Sequence, residues 1–177
     1  MIDPAISTLL AGAFALLFAT AAFHKVRDLD AFSQVFGAYQ IVPAGPSVAA
    51  LVPALEAAVA AGLVVPASRP VAGLTGAVLL LSYAVAIAVN LRRGRRELSC
   101  GCGGPDERRP IAAWMVIRNL LLTPALAAVA LPLSARPLGP ADWLTVAGGL
   151  GIAALLYVSA DRLLGRVAPR SAAWETR

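Results

Sequence analysis

Charged residues are scarce in this chain: Asp, Glu, Lys and Arg make up 14% of its 177 residues, whereas 59% are hydrophobic. A soluble domain of this length has no core large enough to bury so much apolar surface, so a soluble fold is excluded. Aromatic residues are also few, at 6%, and no strand-like alternation of polar and apolar residues is present. The abundant Ala, Leu, Val and Gly instead suit transmembrane helices that pack through small side chains.

The chain also has little that binds metal or nucleic acid. It contains two cysteines and a single histidine, His24, whereas a zinc ion takes four ligands. We therefore predict no metal site within one chain, and a site of four cysteines shared by two copies stays open. The arginines lie between and after apolar runs and form no basic stripe interleaved with aromatics, so nucleic-acid binding is not expected.

Five nearly uncharged stretches are long enough to cross a membrane, which takes about 20 helical residues. These stretches run from Ile6 to Phe23, from Val48 to Val65, from Val71 to Leu91, from Ile111 to Leu133 and from Trp143 to Ala160. Among their residues only Glu56 and Arg118 are charged. The sequence therefore predicts an all-α fold, a polytopic transmembrane bundle over residues 1–165, in a lipid bilayer. A flexible polar tail is expected over residues 166–177.

A shorter helix is predicted between the first two spans, over about residues 28–40. This stretch is too polar to cross the membrane, but its apolar side chains recur at spacings of three and four, at Leu29, Phe32, Val35, Phe36 and Tyr39. Such a pattern is typical of an amphipathic helix lying in the membrane surface. Pro43 and Gly45 are expected to end it.

Lys and Arg are divided unequally between the two ends of the predicted bundle. Of the 15 such residues, Arg118 lies within a span, Arg69 and Arg136 lie at one end, and the remaining twelve lie at the other. By the positive-inside rule, we expect the amino terminus outside and the third connection, residues 92–110, in the cytoplasm of a bacterial-type inner membrane.

The third connection carries both cysteines, in Ser99-Cys100-Gly101-Cys102-Gly103-Gly104. A disulfide across one intervening residue removes little entropy from the unfolded chain, so it is a poor structural brace. Such a ring is also tight, which favours opening and hence a catalytic or regulatory role. Nearby arginines favour the thiolate form. The alternative is that both cysteines are reduced and idle.

A polar cluster is predicted inside the bundle beneath this connection. At a rise of about 1.5 Å per residue, Glu56 and Arg118 lie at similar depths from the cysteine-bearing end, and an unpaired charge there is costly. We therefore expect a Glu56–Arg118 ion pair, which serves either proton transfer or only helix register. The residues expected to support it are Tyr83, Asn90, Trp114, Asn119, His24 and Lys25. His24 is either a proton relay or an interfacial residue without a task.

The order of AFHKVRDLDAF, YQIVP, Glu56, NLRRG, CGCGG and IAAWMVIRN resembles the MauE family of methylamine-utilisation membrane proteins, which are similar to the DoxX group. The resemblance covers about residues 15–125. It implies a helical inner-membrane protein that acts with a thioredoxin-like partner in maturing a disulfide-rich client, with Cys100 and Cys102 as the working thiols. The resemblance does not imply a link to methylamine for this chain, because other members of the family look like general redox-associated membrane proteins.

The architecture is also similar to vitamin K epoxide reductase, with a four-helix core and a surface helix after the first span, here joined by a fifth span. A quinone cofactor stays open, although the cysteine pair here is CxC and not CxxC and it precedes the helix. No other cofactor is expected.

The leading hypothesis is therefore a thiol–disulfide oxidoreductase or isomerase in which one cysteine, as thiolate, attacks a partner's disulfide and the other resolves the mixed disulfide. Two alternatives stay open: a small-molecule or lipid transporter with Glu56 and Arg118 lining its pathway, and a non-catalytic scaffold for a redox partner. The cytoplasmic loop conflicts with disulfide formation, which belongs outside the cell. The sequence indicates no oligomeric state.

Overall fold

The regular elements in the described part of the chain are all helices. The computed structural model describes residues 1–41, 45–101, 110–132 and 134–167. Within these ranges it has α1 (Pro4–Arg27), α2 (Leu29–Ala38), α3 (Pro46–Val64), α4 (Arg69–Arg92), α5 (Ala113–Ala127), which a 3₁₀ turn extends over Ala128–Ala130, and α6 (Pro140–Val167). All but α2 are long and apolar enough to cross a membrane. The predicted five-span helical fold is confirmed.

Aspartate side chains cap the first two helices. Asp3 begins α1: its carboxylate accepts a hydrogen bond from the Ala5 amide at 2.8 Å, and Pro4 occupies the first turn. Asp28 ends α1 and begins α2, where its carboxylate accepts from the Ala31 amide at 3.0 Å. The short helix predicted over about 28–40 is therefore present. It ends at Ala38, before Pro43, which lies outside the described residues.

Helices α1, α3, α4 and α5 form the core of the bundle. Phe18 of α1, Leu63 of α3 and Leu126 of α5 are each at most 2% exposed and belong to one cluster of buried apolar side chains. A glycine on α4 allows the close approach: a Cβ at Gly76 would lie only 2.7 Å from the Leu126 side chain. Packing through a small residue is typical of helices in membranes.

Helix α6 is peripheral and packs mainly against α1. Only 6% of its most apolar window is buried, compared with 44% for α4. The contact uses small residues: a Cβ at Gly149 would lie 2.9 Å from the Leu9 side chain, and one at Gly12 would lie 3.1 Å from Leu150. The structure thus has the expected four-helix core with a fifth spanning helix on its outside. Residues 168–177 lie outside the described part.

An ionic clamp holds the end of the bundle where α1 and α6 begin. The Arg136 guanidinium contacts the carboxylates of Asp3 and Asp142, each at 2.8 Å. The hydrogen bond from Arg136 lowers the pKa of Asp3, and its bonds to both carboxylates raise the pKa of Arg136. The backbone joins the same two regions, because the Ile2 amide donates to the Pro132 carbonyl at 2.9 Å.

Candidate functional site

A buried ion pair joins α1 to α3 near the cysteine end, which we define as the end of the bundle where α1 and α4 end and α5 begins. The Lys25 ammonium donates to Oε1 of Glu56 at 2.6 Å, and the side chains of Lys25 and Glu56 are only 5% and 1% exposed. Tyr83 of α4 donates its hydroxyl to the same oxygen at 2.8 Å. Side chains from three helices therefore form one hydrogen-bonded set, in which the Glu56 carboxylate accepts from Lys25 and Tyr83.

Helix geometry explains why these two charges meet. Helical side chains lean toward the amino terminus of their own helix. Lys25 lies near the carboxyl end of α1, so its side chain leans back into the bundle, while Glu56 leans from the middle of α3 toward the cysteine end. An outward turn to water would be the usual behaviour of a lysine at a helix end. The inward direction leaves its ammonium 5.5 Å from the Phe32 ring centre and 5.7 Å from that of Tyr83.

The predicted Glu56–Arg118 ion pair is wrong, because Lys25 takes the place expected for Arg118. The Arg118 guanidinium lies over aromatic rings, with its central carbon 5.1 Å from the Trp114 ring centre and 5.8 Å from that of Tyr157. The depths inferred from the sequence did not specify which way each residue faces around its helix. The other carboxylate oxygen of Glu56, Oε2, is buried and has no hydrogen-bond partner among the described residues.

An apolar cavity of about 230 Å³ adjoins Lys25 and Tyr83. It lies between the surface helix α2, helices α3 and α4, and the connection that carries the cysteines. Most of its walls are apolar, from Phe32, Val35, Phe36, Val52, Leu79 and Ile87. Cys100 and Gly101 also line it. The cavity thus has a cysteine and a buried lysine among lining residues that are otherwise mostly apolar.

Tyr39 fixes the connection over this cavity. Its hydroxyl donates to the backbone carbonyls of Ser99 at 3.2 Å and Cys100 at 3.3 Å. Asn90, which is fully buried near the end of α4, donates to the Tyr39 carbonyl at 3.2 Å. Burial raises the pKa of Tyr39 to about 12, so its hydroxyl remains a donor at neutral pH. The sequence indicated Tyr39 only as part of the apolar face of α2.

The two ends of the connection pair with each other, residues 98 and 99 with residues 110 and 111. The Ile111 amide donates to the Leu98 carbonyl at 2.9 Å, beside an isolated bridge between Ser99 and Pro110. Cys100 is half-buried against the cluster that contains Ile111. This pairing gives the amino-terminal part of the loop a fixed position on the bundle.

Cys100 itself is bonded in a disulfide. The only other cysteine of the chain, Cys102, lies outside the described residues. Gly101 has φ of +65°, which favours glycine, and a Cβ there would lie 3.0 Å from the Val35 side chain. The glycine therefore lets the backbone beside Cys100 approach α2 closely.

The remaining predicted residues are distributed around this site. Tyr83 joins the ion pair and Asn90 supports the connection, whereas His24 lines a small cavity of about 40 Å³ beside Lys25. Asn119 is 3% exposed, and its side-chain amide nitrogen has no partner among the described residues. Trp114 adjoins the apolar cluster that Cys100 contacts. Across the described ranges, no three His, Cys, Asp or Glu side chains gather as a metal site would need.

The fold and the site together define a polytopic helical membrane protein with a buried acid–base pair beneath a cysteine-bearing connection. Comparison with known proteins gives the family. The family model described as Methylamine utilisation protein MauE matches residues 3–134, and the chain belongs to the MauE family. This range includes Lys25, Glu56, Tyr83 and Cys100.

Relatives of similar length carry the same description. Methylamine utilization protein MauE of Paracoccus denitrificans is 38% identical, over 97% of this chain and 94% of the relative. The protein of that name from Paracoccus versutus is 42% identical, over 92% and 89%. The one from Methylophilus methylotrophus is 33% identical, over 92% and 88%. No solved structure matches the chain.

Proposed function

We propose that this protein is a membrane thiol–disulfide redox protein of methylamine utilisation, in which Cys100 and Cys102 are the exchanging pair. The observation that carries the proposal is the disulfide at Cys100, in a chain whose only other cysteine is two residues away. A bond closing so short a loop adds little stability, so a brace is a poor explanation for it. The names of the relatives support the metabolic assignment.

In exchange, a thiolate of the partner attacks one sulfur of the pair, forms a mixed disulfide and releases the other sulfur as a thiolate. The second partner thiol then attacks the mixed disulfide. The partner leaves with a new disulfide, and Cys100 and Cys102 keep two electrons and two protons as thiols. A thioredoxin-like protein or a maturing client with several cysteines fits this chemistry, and run backwards the same steps reduce or reshuffle a partner's disulfide.

Serine substitution tests the assignment. Cys100→Ser, Cys102→Ser and the double variant are each expected to abolish methylamine-dependent growth, while the far-ultraviolet spectrum and unfolding midpoint of the purified proteins change little. A single variant is also expected to trap a mixed disulfide, visible as a band that disappears on reduction. Ala135→Ser, an exposed residue at the opposite end, is the matched control and should leave growth intact. Full growth of the double variant would reject the proposal.

We also propose that the cysteine end faces the cytoplasm, since Arg27 and the arginines after α4 lie there. After reduction of intact cells, a membrane-impermeant maleimide should fail to label Cys100. Ala135→Cys in the variant lacking both native cysteines is the control, because it should be labelled from outside. The reverse pattern would overturn the orientation and would suit a role in maturing an exported client.

A further inference from the structure

The cavity beside Cys100 combines three features. Its walls are mostly apolar, it includes the half-buried Cys100, and its polar lining residues include Lys25 and Tyr83. Ligand sites are typically apolar pockets with a few polar groups that orient the ligand. The inference drawn from this cavity rests on the proposed function.

The volume and position of the cavity fit one substituted ring. An apolar protein cavity of about 150 Å³ holds benzene, and this one has about 230 Å³. Ile41, which follows the surface helix α2, lines the cavity and is 44% exposed. Because most of the lining residues are apolar, a ligand of this cavity needs an apolar body.

The redox balance specifies what such a ligand has to do. Each exchange that oxidises a partner leaves Cys100 and Cys102 as a dithiol, so a second turnover needs an acceptor of two electrons. The described groups of the cavity hold exchangeable protons but no redox centre of their own besides Cys100. The acceptor therefore has to bind in the cavity as a separate molecule. Its electron-accepting atoms have to be able to accept a hydrogen bond from the Lys25 ammonium.

We propose that the cavity binds a lipid-soluble quinone, which oxidises the Cys100–Cys102 dithiol. The two S–H bonds break and one S–S bond forms, while the two quinone oxygens take up two electrons and two protons to give the hydroquinone. The Lys25 ammonium, which directs one of its three N–H bonds to Glu56, is the donor for a carbonyl oxygen and stabilises the negative charge that develops on it. The single hydroxyl hydrogen of Tyr83 is donated to Glu56. The apolar walls exclude water from the reacting atoms.

Purified full-length protein in dodecyl maltoside provides the test, with decylubiquinone as the probe. The chain is reduced with a phosphine, desalted and mixed with decylubiquinone. Loss of the quinone absorbance is followed together with the loss of thiols that can be alkylated. The expected result is one quinone reduced and two thiols lost per chain, at a rate that saturates with decylubiquinone concentration.

A variant that fills the cavity links this reaction to the site. Ala86 of α4 lines the cavity, whereas its neighbour Val85 is 53% exposed on the outside of the helix. Ala86→Phe is expected to lower the second-order rate with decylubiquinone about tenfold or more, the equivalent of about 1.4 kcal/mol. The matched control, Val85→Phe, should stay within about twofold of the wild type, less than about 0.5 kcal/mol. If Ala86→Phe fails to fold, the exposed cavity residue Ser82 takes its place as Ser82→Phe.

The outcomes separate this inference from the proposed function. Thiols that exchange with oxidised glutathione but not with decylubiquinone would overturn the quinone site and leave the proposed function standing. Thiols inert to both would reject the proposed function as well. A rate that rises linearly without saturation, or that Ala86→Phe and Ser82→Phe leave unchanged, would mean reaction by collision and would overturn the site. Lipid acyl chains occupying the cavity would give that result.

Discussion

Removing the ammonium of Lys25 while keeping the carboxylate of Glu56 tests the energetic role of the buried pair. At an effective dielectric constant of about 20, Coulomb's law gives about 6 kcal/mol for unit charges at their separation of 2.6 Å. Desolvation of two side chains at 5% and 1% exposure offsets much of this attraction. The larger effect on stability comes from the Glu56 carboxylate that Lys25→Met leaves behind. It stays buried, and its described partner is then the Tyr83 hydroxyl alone. We expect Lys25→Met to lower the free energy of unfolding by about 3–5 kcal/mol.

The double variant Lys25→Met, Glu56→Leu should recover most of that loss. It removes both charges and leaves only Tyr83 without its acceptor, which costs about 1–2 kcal/mol. Unfolding of purified protein by increasing mole fractions of dodecyl sulfate, followed by circular dichroism, gives the four corners of a double-mutant cycle. Arg136→Met is a control for charge loss as such, because the Arg136 side chain is 41% exposed and its removal should cost far less. A single variant as stable as the wild type, or a double variant as unstable as the single one, would refute the reasoning.

Three further predictions concern the cysteine connection and the ionic clamp. Tyr39→Phe removes the hydroxyl that donates to the Cys100 carbonyl, so it should cost about 1 kcal/mol of stability. In the same variant, alkylation of reduced Cys100 should be faster in a timed maleimide assay, and an unchanged rate would contradict the anchoring role. Gly101→Ala forces a side chain into a left-handed conformation at a cost of about 1–2 kcal/mol, measured as a lower unfolding midpoint. Arg136 lowers the pKa of Asp3, so the ionised form contributes stability above the ordinary pKa of 3.8 that is lost as the pH falls through the lowered pKa. The melting temperature of Asp3→Asn should therefore fall less than that of the wild type between pH 5 and the lowest pH tested, and parallel curves would exclude this contribution.

The spanning helices and the surface helix could be predicted because each depends on a local pattern. An apolar run of about 20 residues has few alternatives to a membrane span. The spacing of Phe32, Val35 and Phe36 is enough to indicate an amphipathic helix, and Asp28 caps that helix in the structure. The fifth span differs most from its prediction, because its helix runs over Pro140–Val167 and not only from Trp143 to Ala160. The fourth begins at Ala113, two residues after the predicted start at Ile111, and continues as a 3₁₀ turn to Ala130 after Pro124.

The partner of Glu56 could not be predicted in the same way, because it depends on how helices are rotated against each other. Counting residues places Glu56 and Arg118 at one depth, but depth is a single coordinate and says nothing about which neighbour a side chain faces. Lys25 was predicted among the residues that support the cluster but not as the partner of Glu56, and lysines near helix ends usually extend to water. In the structure Lys25 is only 5% exposed and pairs with Glu56 directly. One sequence signal did point to it: near the carboxyl end of a helix the side chains lean back along the helix axis, so a lysine there can reach inward.

The site lies where it does in the bundle because the Lys25 side chain points inward and pairs with Glu56. If the Lys25 side chain extended to the surface, Glu56 would lie in a low-dielectric core without a cation from α1. With both present, the charge pair lies at one boundary of the cavity and Cys100 lies at another. Helix α6 begins at Pro140, beyond the family-matched residues 3–134, and none of its described side chains lines the cavity. The residues that distinguish this protein from an ordinary helical bundle therefore belong to the part of the chain that the family shares.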